Sequence, residues 1–210
     1  MSFHSKNCPI EGGVFNGIFK YLQNETGIED ISSRNIIDLS MNGKEEENGL
    51  MSNILKKEST LKSGYWFNFD QEQTDPPYLQ IDFIDNRITL TSWTLYNYWH
   101  DFSPNITIYG SNDNKRWDFI DTQGIRKQDL VINQFNTFSF NVMVFLRRRY
   151  IKIVQFENRF ANDRAFVAHR FELYGIFYSY QDLIKDIKVS CKTISQNILS
   201  TFFVTIIFLF

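Results

Sequence analysis

The loop from Asn97 to Ser103 contains the residues best suited to recognise a ligand. Tyr98 and Trp99 offer aromatic faces, and His100 and Asp101 offer hydrogen-bond donors and acceptors beside them. A sugar can stack its C–H face on an aromatic ring while its hydroxyls make directed hydrogen bonds to such side chains. The structural alternative is that Tyr98 and Trp99 close the end of a core, because large aromatic side chains mostly serve burial.

A second polar loop precedes Phe166 and offers a comparable set of side chains. Its amide and guanidinium groups can hydrogen-bond sugar hydroxyls, and they are supplied by Asn158, Arg159, Asn162 and Arg164. The alternative is a solvated loop with internal Arg–Asp pairing, which contributes little to stability. If the two loops form one site, a rigid framework must bring them to the same end of the molecule.

The segment from Tyr78 to Thr122 predicts antiparallel strands that could provide this framework. Hydrophobic residues alternate with polar ones, and Asp85-Asn86 is a turn signal between two such runs. Further runs recur about every ten residues, which is typical of a β-sandwich or barrel. Residues at alternate positions of these strands share one face and form the predicted core: Leu79, Ile81, Phe83, Ile106, Ile108, Trp117, Ile151, Ile153, Phe171 and Leu173.

Four stretches of the chain carry a family resemblance. They are Ile81-Asp82-Phe83, the run ITIYGSNDNKRW ending at Trp117, Arg149-Tyr150-Ile151-Lys152-Ile153, and Phe171-Glu172-Leu173-Tyr174-Gly175. In this order they resemble the coagulation factor 5/8 type C, or discoidin, domain over residues 65–175. The resemblance implies an all-β jelly-roll sandwich of the galactose-binding-like kind, in which Arg149 is a structural arginine at the start of a strand.

The same resemblance implies a non-catalytic recognition module that binds a glycan or a protein through loops at one end of the sandwich. Intracellular domains of this kind accompany BTB-domain proteins, so a protein-interaction domain is one alternative. A domain that binds anionic membranes is another, with Tyr98, Trp99, Phe160 and Phe166 as its apolar contacts. The run Arg147-Arg148-Arg149 could serve such a membrane, but the nearly neutral chain favours a structural Arg149 beside two solvated arginines.

The last residues follow a different pattern, so we expect a domain over 1–177 and a separate tail over 178–210. Apolar residues recur at helical spacing from Tyr180 to Ile198, which predicts an amphipathic helix. Residues 198–210 are almost wholly apolar, but as a helix they would reach only about 20 Å against about 30 Å of hydrocarbon. The tail is therefore a marginal membrane anchor, a docked amphipathic helix or an apolar end without a role.

The amino-acid composition and the absence of known motifs argue against several classes of function. The 22 basic and 24 acidic residues give a net charge of −2, which argues against nucleic-acid binding. The first residues have no apolar run of the secretory type, so we expect a cytoplasmic protein in which Cys8 and Cys191 are reduced thiols. The sequence contains no phosphate loop, nucleophile elbow or histidine pair at metal spacing, so we predict no enzyme, no cofactor and no metal site.

Overall fold

The computed structural model describes residues 4–42, 44–45, 51–55, 65–68, 75–98, 105–155 and 165–188. Most of the regular structure in these ranges is β-strand: Lys6–Cys8 (β1), Asp38–Met41 (β2), Lys44–Glu45 (β3), Tyr65–Asn68 (β4), Tyr78–Asp82 (β5), Arg87–Tyr98 (β6), Asn105–Ser111 (β7), Asp118–Gly124 (β8), Phe135–Asn141 (β9), Arg147–Arg148 (β10), Tyr150–Gln155 (β11), Ala165–Ala168 (β12) and Arg170–Tyr178 (β13). Two α-helices accompany them in the described part of the chain, namely Ile18–Thr26 (α1) and residues 180–188 (α2).

The strands form two five-stranded antiparallel sheets and a small third sheet. In sheet I the order is β1-β13-β6, and β6 also pairs with β9 and β10 along its other edge. In sheet II the order is β2-β5-β11-β7-β8, and sheet III has the order β12-β4-β3. Because many paired strands are distant in sequence, the chain crosses repeatedly between the sheets. The predicted all-β jelly-roll sandwich is confirmed.

Alternate residues of the facing strands fill the space between sheets I and II. Leu79 and Ile81 of β5 are fully buried, as are Ile108 of β7 and Ile151 of β11. Strands with a period of two place such residues on one face, so the hydrophobic pattern specifies which face is buried. Nine predicted core residues are buried: Leu79, Ile81, Phe83, Ile106, Ile108, Ile151, Ile153, Phe171 and Leu173.

The tenth predicted core residue, Trp117, is not in the core. Its half-buried ring lies on the outer face of sheet II, where the Lys152 ammonium is 3.9 Å from the ring centroid and the Tyr150 ring is 6.4 Å away. Trp117 precedes β8, so the parity of that strand does not determine where its side chain points. This prediction was wrong because a turn residue was treated as part of a strand.

An ion pair between Asp82 and Arg149 ties β5 to β11. The Arg149 Nε and Nη2 atoms each donate to a different Asp82 carboxylate oxygen at 2.7 Å. Hydrogen bonding to Asp82 raises the pKa of Arg149 above its ordinary value. The Arg149 backbone N–H also donates to the Ser111 carbonyl at 3.0 Å, which extends the connection to β7. The structural role of Arg149 implied by the resemblance agrees with these contacts.

The turn that joins β7 to β8 is held by its own polar side chains. The Ser111 hydroxyl accepts from the backbone N–H groups of Asp113 and Asn114 at 3.2 and 3.0 Å. The Asp113 carboxylate accepts from the N–H groups of Lys115 and Arg116, both at 2.9 Å. These bonds favour the ionised form and lower the pKa of Asp113 to about 2. The polar residues of the resembling stretch that ends at Trp117 therefore specify a turn.

Helix α1 is held against the outer face of sheet I by the buried carboxylate of Glu172. The backbone N–H groups of Phe19 and Leu173 donate to Glu172 Oε1 at 2.9 and 3.0 Å. Desolvation nevertheless outweighs these bonds and raises the pKa of Glu172 to about 7. At Gly17, directly before α1, a side chain would place its Cβ 2.2 Å from the Leu173 carbonyl oxygen. The helix can pack this closely only because that position is glycine.

A β-bulge interrupts the pairing of β13 with β6 between Tyr174 and Gly175. Gly175 has φ +140°, and a Cβ there would lie 2.0 Å from the Thr89 carbonyl oxygen. Both the backbone conformation and the close contact require glycine at this position. The glycine that ends the stretch Phe171–Gly175 is therefore explained by the structure.

The start of α2 is connected to the N-terminal part of the domain. The Asp182 carboxylate accepts from the Ser5 backbone N–H at 2.8 Å and from the Ser179 hydroxyl at 2.9 Å. Residues 180–188 are helical as the spacing predicted, whereas 189–210 lie outside the described residues. Within the described ranges, no helix has the length and apolar character needed to cross a membrane. The domain boundary at 177/178 stays a prediction.

We expect Phe83→Ala to lower the free energy of unfolding by about 3–5 kcal/mol, because this ring is completely buried and its removal leaves a cavity. Trp117→Ala is the matched control, since it deletes a larger but half-buried ring outside the core. Urea denaturation followed by circular dichroism measures both changes. Equal losses for the two variants would contradict the assignment of Phe83 to the core and Trp117 to the surface.

Glu172 should make stability depend on pH. The folded protein keeps this proton up to about pH 7, whereas the unfolded chain releases it near 4.5. Stability should therefore fall as pH rises from about 4.5 to about 7, by about 3 kcal/mol for this group. In Glu172→Gln, which keeps an oxygen acceptor for Phe19, this slope should disappear from the pH profile of the melting temperature. An unchanged slope in the variant would show that another group is responsible.

Candidate functional site

The structure describes one of the eight residues predicted to bind a ligand. Tyr98 is the last residue of β6, and its side chain is half-buried. The other seven lie outside the described residues and stay predictions: Trp99, His100, Asp101, Asn158, Arg159, Asn162 and Arg164. Phe160, proposed as an apolar membrane contact, also lies outside them, whereas Phe166 is 1 % exposed and joins the core. The proposal that Phe166 contacts a membrane is therefore wrong.

Several strand ends meet at the end of the sandwich marked by Tyr98. In sheet I, Tyr98 pairs with Phe135, the first residue of β9. In sheet II, Asn105 begins β7 and pairs with Gly124, the last residue of β8, while β11 ends nearby at Gln155. We call this region the Tyr98 end. Tyr98 and Asn105, which flank residues 99–104, lie at the Tyr98 end, and so does Gln155, which precedes residues 156–164. The two loops predicted to bind a ligand overlap these two stretches.

An aromatic cluster surrounds Tyr98 on the outer face of sheet I. The Tyr96 and Phe135 rings are stacked, with centroids 4.7 Å apart and planes 9° apart. The Tyr98 ring meets Phe135 edge to face at 5.1 Å. Phe15, from the segment before α1, meets Tyr96 edge to face at 6.1 Å. All four side chains are half-buried, so they combine packing with partly accessible ring surface. We call this cluster the aromatic platform.

Arg170 adds a cationic donor group to the platform. Its guanidinium carbon lies 3.9 Å from the centroid of the Phe15 ring, a cation–π arrangement. Partial burial lowers the pKa of Arg170 from its ordinary value, although the group remains charged at neutral pH. Among the residues that the structure describes, no hydrogen bond or ion pair engages this guanidinium. Its donors are therefore available to a ligand that also contacts the rings.

His169 supports the platform from within. Its backbone N–H donates to the buried Asn97 Oδ1 at 2.7 Å, and its ring Nδ1 lies 3.2 Å from the same oxygen. The His169 ring then meets Phe135 edge to face at 5.0 Å. With 8 % exposure, His169 is a buried residue that orients Phe135. His169 shares the strand parity of Phe171 and Leu173, which are also buried.

Two exposed apolar residues lie beside the platform, in the connection from β8 to β9. Val131 and Ile132 are 54 % and 60 % exposed. Asn136 organises their loop: its Oδ1 accepts from the Val131 N–H at 2.7 Å, and its Nδ2 donates to the Val131 and Gln134 carbonyls at 3.2 and 3.0 Å. The Tyr98 end thus combines apolar and aromatic surface with a cation.

Sequence reasoning found Tyr98 and missed four of its neighbours. Tyr96 has the parity of Tyr98 within β6, and that signal could have identified it. Phe135 and Arg170 reach the cluster by cross-strand pairing, which a single sequence does not reveal. Phe15 lies far away in sequence and is placed by the Tyr174 hydroxyl, which accepts from the Phe15 backbone N–H at 2.7 Å.

The side chains at the Tyr98 end are suited to binding a ligand by stacking and hydrogen bonding. Aromatic faces beside an arginine suit the stacking and directed hydrogen bonding that a sugar requires. Within the described ranges, no group of three or more histidine, cysteine, aspartate or glutamate side chains is arranged to hold a metal ion.

The chain matches no protein-family model and no curated protein sequence. Its structure does resemble solved structures. One is the module CBM32-3 from a family 31 glycoside hydrolase of Clostridium perfringens, with TM-score 0.51 and 13 % identity over 67 % of this chain and 92 % of that one. Another is the Clostridium perfringens module CpGH89CBM32-5 in complex with GalNAc-β-1,3-galactose, with TM-score 0.50 and 10 % identity over 67 % of this chain and 96 % of that one.

A third is a fragment of a putative chitobiase from Bacteroides thetaiotaomicron, with TM-score 0.50 and 12 % identity over 71 % of this chain and 92 % of that one. At these identities the likeness establishes the fold alone. The neighbours include family 32 carbohydrate-binding modules, which share the galactose-binding-like jelly roll with discoidin domains. The discoidin resemblance is therefore supported at the level of the fold.

Proposed function

We propose that this chain is a non-catalytic recognition module that binds a glycan at the Tyr98 end. The observation that carries the proposal is the aromatic platform with the Arg170 guanidinium beside it, at the end where the two predicted loops leave their strands. Tyr96, Tyr98 and Phe135 supply ring surface for the C–H face of a sugar. Arg170 supplies several donors in one plane for hydroxyl or carboxylate oxygens.

Rigid support favours this location over a flat surface patch. Tyr96 and Tyr98 lie on β6, Phe135 on β9 and Arg170 on β13, and β6 pairs with both other strands. His169 and Asn97 fix the ring of Phe135 from below. A ligand therefore meets rings whose orientation is already determined, which lowers the entropy cost of binding.

The loops before and after the described strands complete the proposed site. We propose that Trp99, His100 and Asp101 contact the ligand from one loop, and that Asn158, Arg159, Asn162 and Arg164 contact it from the other. These residue types provide the directed hydrogen bonds that distinguish one sugar from another. The carbohydrate-binding modules among the structural neighbours support a glycan as the ligand, although the fold by itself does not determine it.

The first test is binding of the full chain to galactose and GalNAc-β-1,3-galactose, followed by a glycan array. With any sugar that binds, Arg170→Gln should weaken affinity by about 1–3 kcal/mol through lost hydrogen bonds, and Tyr98→Ala should weaken it by a similar amount. The matched control is Phe119→Ala, which removes a 52 % exposed ring from the outer face of sheet II and should change nothing. Isothermal titration calorimetry gives the affinities.

The outcome separates the competing hypotheses. A chain that binds no glycan on the array contradicts the proposal and leaves the intracellular protein-interaction hypothesis as the one to pursue. If a sugar binds, His100→Ala and Arg164→Ala should each weaken affinity while the fold survives. Full affinity in both of those variants would place recognition on the platform without the loops, and full affinity in the platform variants would contradict the site.

A further inference from the structure

Strand β9 lies at an edge of sheet I. It pairs with β6 from Phe135 to Asn141 and has no second neighbour among the strands that the structure describes. An edge strand presents unpaired N–H and C=O groups to which another strand can add, and natural sheets usually carry features that prevent this. A long edge without such features is therefore a candidate surface for pairing.

Alternate residues of β9 direct their backbone groups away from the sheet. The Val142 N–H donates to the Thr91 carbonyl at 2.8 Å, so the main chain of Val142 faces β6. In an antiparallel pair, residues that face the neighbouring strand alternate with residues that face away from it. Through the continuous register of β9, the backbone groups of Thr137, Ser139 and Asn141 face away from β6. These three residues are also exposed, so a second strand can approach this edge.

The other edges of the two large sheets carry features that discourage pairing. Strand β1 has three residues and includes Lys6, β2 has four residues and includes Asp38, and β10 consists of two arginines. Strand β8 has seven residues, as β9 does, but it carries Asp118 and Asp121. Short length and charged side chains both hinder the addition of another strand. Among these edges, β9 alone is both long and uncharged.

The absence of charge extends beyond β9 in both directions. Residues 131–146 contain no Asp, Glu, Lys, Arg or His. Val131 and Ile132 before β9, and Met143 and Phe145 after it, are all more than half exposed. Single exposed apolar residues are ordinary, but a group of them along one edge marks a surface that contacts another molecule.

We propose that β9 pairs with β9 of a second copy of this chain, so that the two copies of sheet I join across a twofold axis. The register that overlaps all seven residues centres on Phe138 and places Phe135 opposite Asn141 of the second copy. Thr137 then lies opposite Ser139 of the second copy. Every outward-facing residue meets another outward-facing residue, so the two strands exchange main-chain hydrogen bonds along their whole length.

The side chains of β9 suit pairing with an identical strand. Thr137 opposite Ser139 is a pair that hydrogen-bonds across strands, and Phe138 opposite Phe138 is an aromatic pair. No like charges meet, because this stretch has none. Strand β8 overlapped with itself over its seven residues would instead place two Asp121 carboxylates opposite each other, which is destabilising.

The exposed apolar residues follow the same symmetry. Val131 precedes Phe138 by seven residues, and Phe145 follows it by seven. Antiparallel pairing therefore brings the Val131–Ile132 end of one copy towards the Met143–Phe145 end of the other, and burial of both surfaces favours the dimer. An unrelated peptide would need an apolar segment at each end, whereas a second copy supplies both.

The dimer has a consequence for the aromatic platform. A twofold axis between antiparallel neighbours is perpendicular to the sheet, so both platforms lie on the same face of the joined sheet. A glycan with repeated units then meets two sites at once, which raises its overall affinity. This consequence rests on the proposed function, whereas the pairing of β9 does not.

The first test is sedimentation velocity of the full chain over a range of concentrations, where we expect a monomer–dimer equilibrium. Thr137→Lys combined with Ser139→Lys places lysines opposite lysines and should raise the dissociation constant at least about tenfold. Thr137→Glu combined with Ser139→Glu should have the same effect. An equimolar mixture of the two variants should dimerise again, because each lysine then lies opposite a glutamate.

The matched control is Thr122→Lys on the edge strand β8. The Thr122 hydroxyl lies 2.9 Å from that of Thr107, much as the Ser139 hydroxyl lies 2.7 Å from that of Thr94. This control should dimerise like the wild type, and thermal melts verify that each variant folds. The proposal is overturned if the wild type stays monomeric at its highest soluble concentration, if the lysine variant dimerises as well as the wild type, or if the mixture stays monomeric.

Cross-linking tests the register without added charge. Burial raises the pKa of the Cys8 thiol to about 11, so Cys8 should react slowly in a Cys191→Ser chain. In Thr137→Cys the two copies of position 137 lie diagonally across the paired strands, about 7–8 Å apart, so a short bismaleimide should join them.

Two further positions serve as controls for the cross-link. Asn141→Cys should not react across the dimer, because about 20 Å of strand separates the two copies of that position. Phe119→Cys on β8 should not cross-link either. No covalent dimer at position 137, or equal yields at all three positions, contradicts the pairing of β9.

Discussion

The ion pair between Asp82 and Arg149 fixes the strand register on which the other features depend. Two contacts of 2.7 Å demand one alignment of β5 and β11, because a shift of one residue would turn either side chain to the opposite face. The two side chains keep 16 % and 28 % exposure, so the pair is not deeply desolvated and its net energy is modest. The ion pair matters mainly for the geometry of sheet II. When β5, β11 and β7 are aligned, the ends of β7, β8 and β11 lie close together at the Tyr98 end.

Several residues that carry the family resemblance serve this framework. Asp82 and Arg149 align strands, Glu172 holds the start of α1, and Gly175 permits the bulge in β13. These roles concern strand alignment and packing and do not require a ligand. These stretches therefore indicate the fold and not the ligand, so the proposed glycan site is argued from the side chains at the Tyr98 end instead.

The sequence predicts the sandwich well because strand parity is a local property. Ile81 and Ile151 were placed in the core from alternation alone, and they are fully buried. Trp117 was misplaced because it belongs to a turn, and no helix was predicted at α1, since that helix depends on Glu172, far away in the sequence. The aromatic platform also depends on contacts between residues that are far apart in the sequence. Tyr98 could be predicted, whereas Phe15 and Arg170 join the cluster only through tertiary contacts.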